Sequence, residues 1–150
     1  MDRSRLTSRK QQLTNAVLPS GTEEAPLLRQ GRAVVLLLLH DNDCAECTRY
    51  LDQVSGAAEE IDSWGADVAV AVRGAERSVA APFRSYGDPE ATLESTTGAT
   101  YPGVVIADQW GDMTLARSAG PQHDFPPITE LVSEVRYLGT RCPECEGEWL

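Results

Sequence analysis

An α/β domain with a central mixed sheet flanked by helices is predicted by three observations. The first is the unbroken apolar run Ala33–Leu39, followed by His40, then Asp41-Asn42-Asp43 and Cys44-Ala45-Glu46-Cys47. Such a run is too uniformly apolar for a half-exposed strand and far short of the roughly 20 residues that cross a bilayer. The second is the helical spacing of Leu51, Val54, Ala58 and Ile61 between that run and a second Val-rich run, Asp67–Val72. The third is the change of period near the C-terminus, where two short strands precede an amphipathic helix.

Taken in order, residues 1–31 form an N-terminal extension. A loose helix over Ser4–Leu18 is expected, ended by Pro19-Ser20-Gly21, with a helical entry at Thr22–Ala25. The first buried strand spans 33–40. The helix after it starts near Cys44, takes Asp43 as N-cap and runs to Trp64-Gly65. Strand 67–72 completes a βαβ unit, parallel and right-handed. A second helix is expected over Ala75–Tyr86. Another opens at Asp88-Pro89-Glu90 with Asp88 as cap and closes at Gly98. Val104–Ala107 and Met113–Ala116 make a hairpin around the turn Asp108–Asp112. Ile128, Leu131, Val132, Val135 and Leu138 mark the last helix, which begins at Pro127 and is stopped by Gly139. The order is βαβ-α-ββα over a domain at 32–139, and 140–150 is a tail with the pair Cys142–Cys145.

The net charge is −10, and it is uneven. Arg3, Arg5, Arg9 and Lys10 against Asp2 leave residues 1–10 at +3, so the remainder carries −13. An acidic body excludes nucleic acid as the main partner, because phosphate binding relies on clustered cations. No membrane partner is expected. The first 20 residues hold no continuous apolar stretch of secretory type, which predicts a cytoplasmic protein. Four cysteines in two Cys-x-x-Cys pairs are too few for a disulfide scaffold and favour redox or metal chemistry.

This layout resembles the thioredoxin fold and, within it, the redoxins that include the alkyl hydroperoxide reductase and thiol-specific antioxidant proteins. Three segments carry the resemblance: Val34–Cys47 with its helix, Asp88–Ala99, and Tyr101-Pro102-Gly103-Val104-Val105-Ile106-Ala107-Asp108-Gln109-Trp110-Gly111. It covers roughly 70 % of the chain, residues 32–138. It implies a thiol–disulfide oxidoreductase without a bound cofactor, acting on protein or small-molecule thiols and disulfides. Cys44 would attack and Cys47 resolve. Tyr101-Pro102 occupies the place of the family's cis-proline and would position substrate. The sequence departs from thioredoxins proper, which carry Trp before the pair and Gly-Pro inside it.

A sulfur on the first turn of a helix lies near unpaired amide N–H groups, which favour a thiolate. Asp41, Asp43 and Glu46 pull the other way, since each opposes a second negative charge. The balance predicts a mild reductant. His40, at the strand end, is a candidate proton shuttle for Cys47. His123, in a Pro-rich connector, shows no local partner. Redoxin-type peroxidases place Thr or Ser three residues before the reactive cysteine and supply an Arg. Asp41 stands there, and Arg84 or Arg117 would have to come from elsewhere.

Cys142-Pro143-Glu144-Cys145 has three open readings: an accessory redox pair, a metal knuckle, or an exposed dithiol. Zinc held by these pairs on a non-catalytic scaffold is the less favoured expectation. Substrate, electron donor and oligomeric state are not written in the sequence.

Overall fold

The computed structural model describes residues 13, 17–20, 23–29, 31–41, 43–74, 79 and 83–141. Five strands make its central mixed sheet: β3 (Ala33–Leu39), β4 (Ala66–Val72), β5 (Arg84–Gly87), β6 (Gly103–Ala107) and β7 (Met113–Ser118). Across the sheet they lie in the order β5-β4-β3-β6-β7. β3 is central, parallel to β4 and antiparallel to β6. All seven of its side chains are buried. Val35, Leu37 and Leu39 pack against one set of helices: α1 (Ala45–Ser55), α2 (Ala58–Ser63) and α4 (Ile128–Thr140). Val34, Leu36 and Leu38 point to the opposite face, where α3 (Thr92–Thr97), Leu13, Leu27, Tyr86 and Tyr101 cover them. A strand buried on both faces needs no polar alternation, and the run 33–39 has none.

The strand directions decide where the loops meet. Leu38 pairs with Gly103, and Gly103 pairs with Ser118. β6 therefore begins, and β7 ends, at the end of the sheet where β3 finishes. Gly103 sits there because nothing larger fits: a Cβ would lie 2.6 Å from the Arg117 carbonyl oxygen.

Several local expectations are corrected. The first helix is two helices, interrupted at Gly56-Ala57, and its N-cap is Cys44 rather than Asp43. Gly65 does end it in the left-handed region, at φ 88°. Val17–Ser20 (β1) and Glu23–Pro26 (β2) form an antiparallel hairpin instead of helical turns. Pro19 is a poor helix-interior residue, and Ser20 pairing with Glu23 leaves a link of hairpin length. The rest of the Ser4–Leu18 stretch, Leu13 excepted, lies outside the described residues.

Arg84–Gly87, expected to end a helix, is the edge strand β5, parallel to β4. Pairing with β4 outweighs a weak local helical spacing there. The start of that expected helix, residues 75–78, lies outside the described residues, as do residues 80–82. Asp88 caps α3 from four residues upstream, its Oδ1 accepting from Thr92 N at 2.8 Å and its Oδ2 from Leu93 N at 3.0 Å. Finally, α4 runs through Gly139 to Thr140. That glycine serves packing, since a Cβ would meet the Trp64 carbonyl oxygen at 2.6 Å. Among the described residues, no helix is long and apolar enough to cross a membrane.

Candidate active site

Both cysteines of the first pair stand where β3 hands over to α1, and both are free thiols. Cys44 occupies the N-cap position in extended conformation, φ −76° and ψ 118°. Its Sγ accepts from the Cys47 backbone N–H at 3.3 Å, a role oxygen side chains usually fill. Cys44 is partly exposed, whereas Cys47 is fully buried on the helix face that packs against β3. Burial pushes the Cys47 thiol up to about 12; a hydrogen bond with the His40 backbone opposes the shift, and Cys44 and Asp41 add to it. The pair is thus asymmetric in access and in proton affinity.

Both histidines of the chain join the two sulfurs. His40, one residue beyond β3, places Nδ1 3.5 Å from Cys47 Sγ. Its Nε2 faces the Asp41 carboxylate at 3.5 Å. Asp41 is itself steadied by accepting from the Asp43 N–H at 2.8 Å. His123 Nε2 lies 3.2 Å from Cys44 Sγ, across a sequence separation of 79 residues. His123 has no partner near it in sequence; the tertiary fold supplies Cys44.

The connector from β7 to α4 holds His123 in place. Tyr50 of α1 stacks on Phe125 with ring centres 4.2 Å apart and donates its hydroxyl to the Pro126 carbonyl at 2.7 Å. His123 N donates to the Gly120 carbonyl, and Asp124 N to the Ala119 carbonyl. His123 adopts φ 56°, a left-handed conformation uncommon outside glycine. A non-glycine residue held there by its surroundings is characteristic of functional sites. Its placement follows from the strand directions. A hairpin following a strand antiparallel to β3 must deliver its exit loop to the β3 C-terminal end.

The Tyr101–Pro102 peptide is cis, and Pro102 directly precedes Gly103, the first residue of β6, which pairs with Leu38. The Tyr101 side chain turns to the opposite face and donates to Asp88 Oδ2 at 2.6 Å. Burial and that carboxylate raise the Tyr101 phenol far above its ordinary range. Burial alone would raise Asp88, but the bonds from Tyr101, Leu93 and Thr92 bring it below the usual carboxylate value. The Pro102 carbonyl is taken by Ala119 N at 2.8 Å and the Tyr101 N–H by Glu94 at 3.0 Å. Among the described residues the Tyr101 carbonyl has no hydrogen-bond partner.

Around Cys44, Glu46 Oε1 lies 3.7 Å from Sγ, and Asp43 is exposed. A cleft of about 280 Å³ opens beside the pair, lined by Glu46, Arg49, Tyr50, Gln122, His123 and Phe125 among others. Arg117 is held by Glu130 in a two-point ion pair, and Arg84 by Tyr86, Asp67 and the carbonyls of Pro26 and Leu27. Cys142 and Cys145 lie outside the described residues.

No family model matches the chain, and no curated protein matches it. Solved structures do. A protein described as the thiol:disulfide interchange protein DsbE of Chlorobium tepidum superposes with TM-score 0.64 at 18 % identity, over 87 % of this chain and 95 % of that one. The exposed lipoprotein thioredoxin of Streptococcus pneumoniae gives 0.64 at 16 % identity, over 81 % and 98 %. A cysteine-to-serine variant of peroxiredoxin 6 from Arenicola marina gives 0.68 at 12 % identity, over 85 % and 71 %. At these identities the likeness establishes the fold: the chain has a thioredoxin-like fold.

Proposed function

We propose that the chain is a redoxin-type thiol–disulfide oxidoreductase working through Cys44 and Cys47. One observation carries the proposal: an accessible sulfur at a helix N-cap stands beside a buried one whose proton is tightly held. The reaction begins when the Cys44 thiolate attacks a substrate disulfide. A Cys44–substrate bond forms, the substrate S–S bond breaks, and the departing thiolate takes up a proton. Cys47 then gives its proton to His40 Nδ1 and attacks Cys44 Sγ, releasing the second substrate thiol. The substrate gains two electrons, and the protein dithiol becomes a disulfide.

His123 Nε2 is placed to exchange a proton with Cys44 in the first step. The cleft beside Glu46 and Phe125 suits the substrate chain, and the Tyr101 carbonyl offers it a backbone acceptor. Neighbours of the DsbE and thioredoxin kind support this reading at the level of fold.

Peroxiredoxins also share the fold, so peroxide is the competing substrate class. Asp41 in place of a hydroxyl, and the engagement of Arg84 and Arg117 in ion pairs, count against it. The deciding experiment is insulin reduction driven by dithiothreitol, run beside peroxide consumption. Turnover of insulin is expected, with Cys44→Ser reduced to background and Cys47→Ser accumulating a mixed disulfide through Cys44. Full activity in Cys44→Ser, or rapid peroxide turnover without insulin reduction, overturns the proposal.

A further inference from the structure

The geometry points to a metal site at the same pole: Cys44, Cys47, His40 and His123 form a tetrahedral two-thiolate, two-imidazole cage for a zinc-class cation. The two sulfurs and one ring nitrogen from each histidine all lie within 4.8 Å of one another. Zinc at about 2.3 Å from sulfur and about 2.0–2.1 Å from nitrogen requires tetrahedral ligand separations of roughly 3.3–3.8 Å. Cys47 Sγ to His40 Nδ1 is 3.5 Å, and Cys44 Sγ to His123 Nε2 is 3.2 Å. Two of the contacts are thus already at or near the distance an ion would impose.

Four further features suit a cation. His40 turns its other nitrogen toward the Asp41 carboxylate, the arrangement that orients metal-bound imidazoles. The Cys47 N–H donates to Cys44 Sγ, which stabilises a sulfur carrying negative charge. Glu46 and Asp41 add negative potential, which opposes a lone thiolate and favours a bound dication. Two thiolates and two neutral imidazoles also neutralise a divalent ion without a further ligand. The site lies within the described residues and does not call on Cys142 or Cys145.

A bound ion and the Cys44–Cys47 disulfide exclude each other, because each needs both sulfurs. The inference does not depend on exchange activity, and its readout is optical. The full chain carrying Cys142→Ser and Cys145→Ser, reduced with a phosphine and kept free of oxygen, is titrated with Co²⁺. One ion per chain is expected, with the intense visible bands of tetrahedral cobalt, a thiolate charge-transfer band in the near ultraviolet, and displacement by Zn²⁺. His40→Gln and His123→Asn should each weaken affinity by at least about 100-fold, and Asp41→Asn by about 10- to 100-fold. Circular dichroism confirms that each variant is folded. Oxidation to the disulfide should abolish binding. Absence of a tetrahedral spectrum in the reduced parent overturns the proposal. Unchanged affinity in both histidine variants, or retained binding after oxidation, also overturns it.

Discussion

The two ends of the central sheet are built from different kinds of interaction. At the C-terminal end of β3 stand groups that can change partners: two thiols, two imidazoles, and a connector held against α1 by Tyr50 and Phe125. At the opposite end the groups are committed. Asp108 Oδ2 pairs with Arg141 at 3.0 Å, while its Oδ1 accepts from the Trp110 and Asp112 backbone N–H groups. The Arg141 guanidinium lies over the Trp110 and Tyr137 rings. A cleft of about 270 Å³ is present here too, lined by Trp64, Gly139 and Trp110 among others. It contains no thiol and no imidazole among the described residues. Cavity size is nearly the same at both ends; the chemistry of the lining separates them.

The largest expected effect strikes both ends together. Leu37→Ala in β3 removes a fully buried side chain and should cost about 2–5 kcal/mol in urea unfolding, with activity lost only as folded protein is lost. Gly139→Ala tests the braced end alone. The new methyl meets the Trp64 carbonyl, so stability should fall by about 1–3 kcal/mol, while insulin reduction per folded molecule is unchanged. A drop in specific activity would show that the two ends are coupled.

Tyr50→Phe tests the exchanging end. It leaves the Pro126 carbonyl without its donor and should cost about 1–3 kcal/mol. Unlike Gly139→Ala, it should also lower turnover, by loosening the connector that carries His123. Unchanged turnover would remove that connector from the site.

The last test is a pH slope. Cys47 titrates higher when folded than when unfolded, so its contribution to stability is complete below about pH 9 and disappears as pH rises toward about 12. Tyr50 and Tyr101 are raised as well and add to the same alkaline loss. The difference between the parent and Cys47→Ala, followed by urea unfolding from pH 8 to 11, isolates the thiol. The parent should decline more steeply, and parallel curves would place Cys47 in a less buried setting.

Composition and spacing alone determined much of the molecule. A seven-residue run with no polar alternation specified a strand buried on both faces, and the Cys-x-x-Cys after it placed two sulfurs at a helix start. Those features are local, and local patterns are readable one residue at a time. The hairpin at Val17–Pro26, the edge strand Arg84–Gly87, the N-cap identity of Cys44 and the packing role of Gly139 were not readable that way. The edge strand depends on β4 and Gly139 on Trp64, both distant in the chain; the hairpin and the Cys44 cap are local, but the residue types there do not signal them. His123 is the clearest case. Its own neighbours Gln122 and Asp124 give it no role, and only the antiparallel return of β6 and β7 carries it to Cys44. Sequence determined where the sulfurs are; tertiary structure decided what surrounds them, because proximity across 79 residues is a property of strand direction and packing.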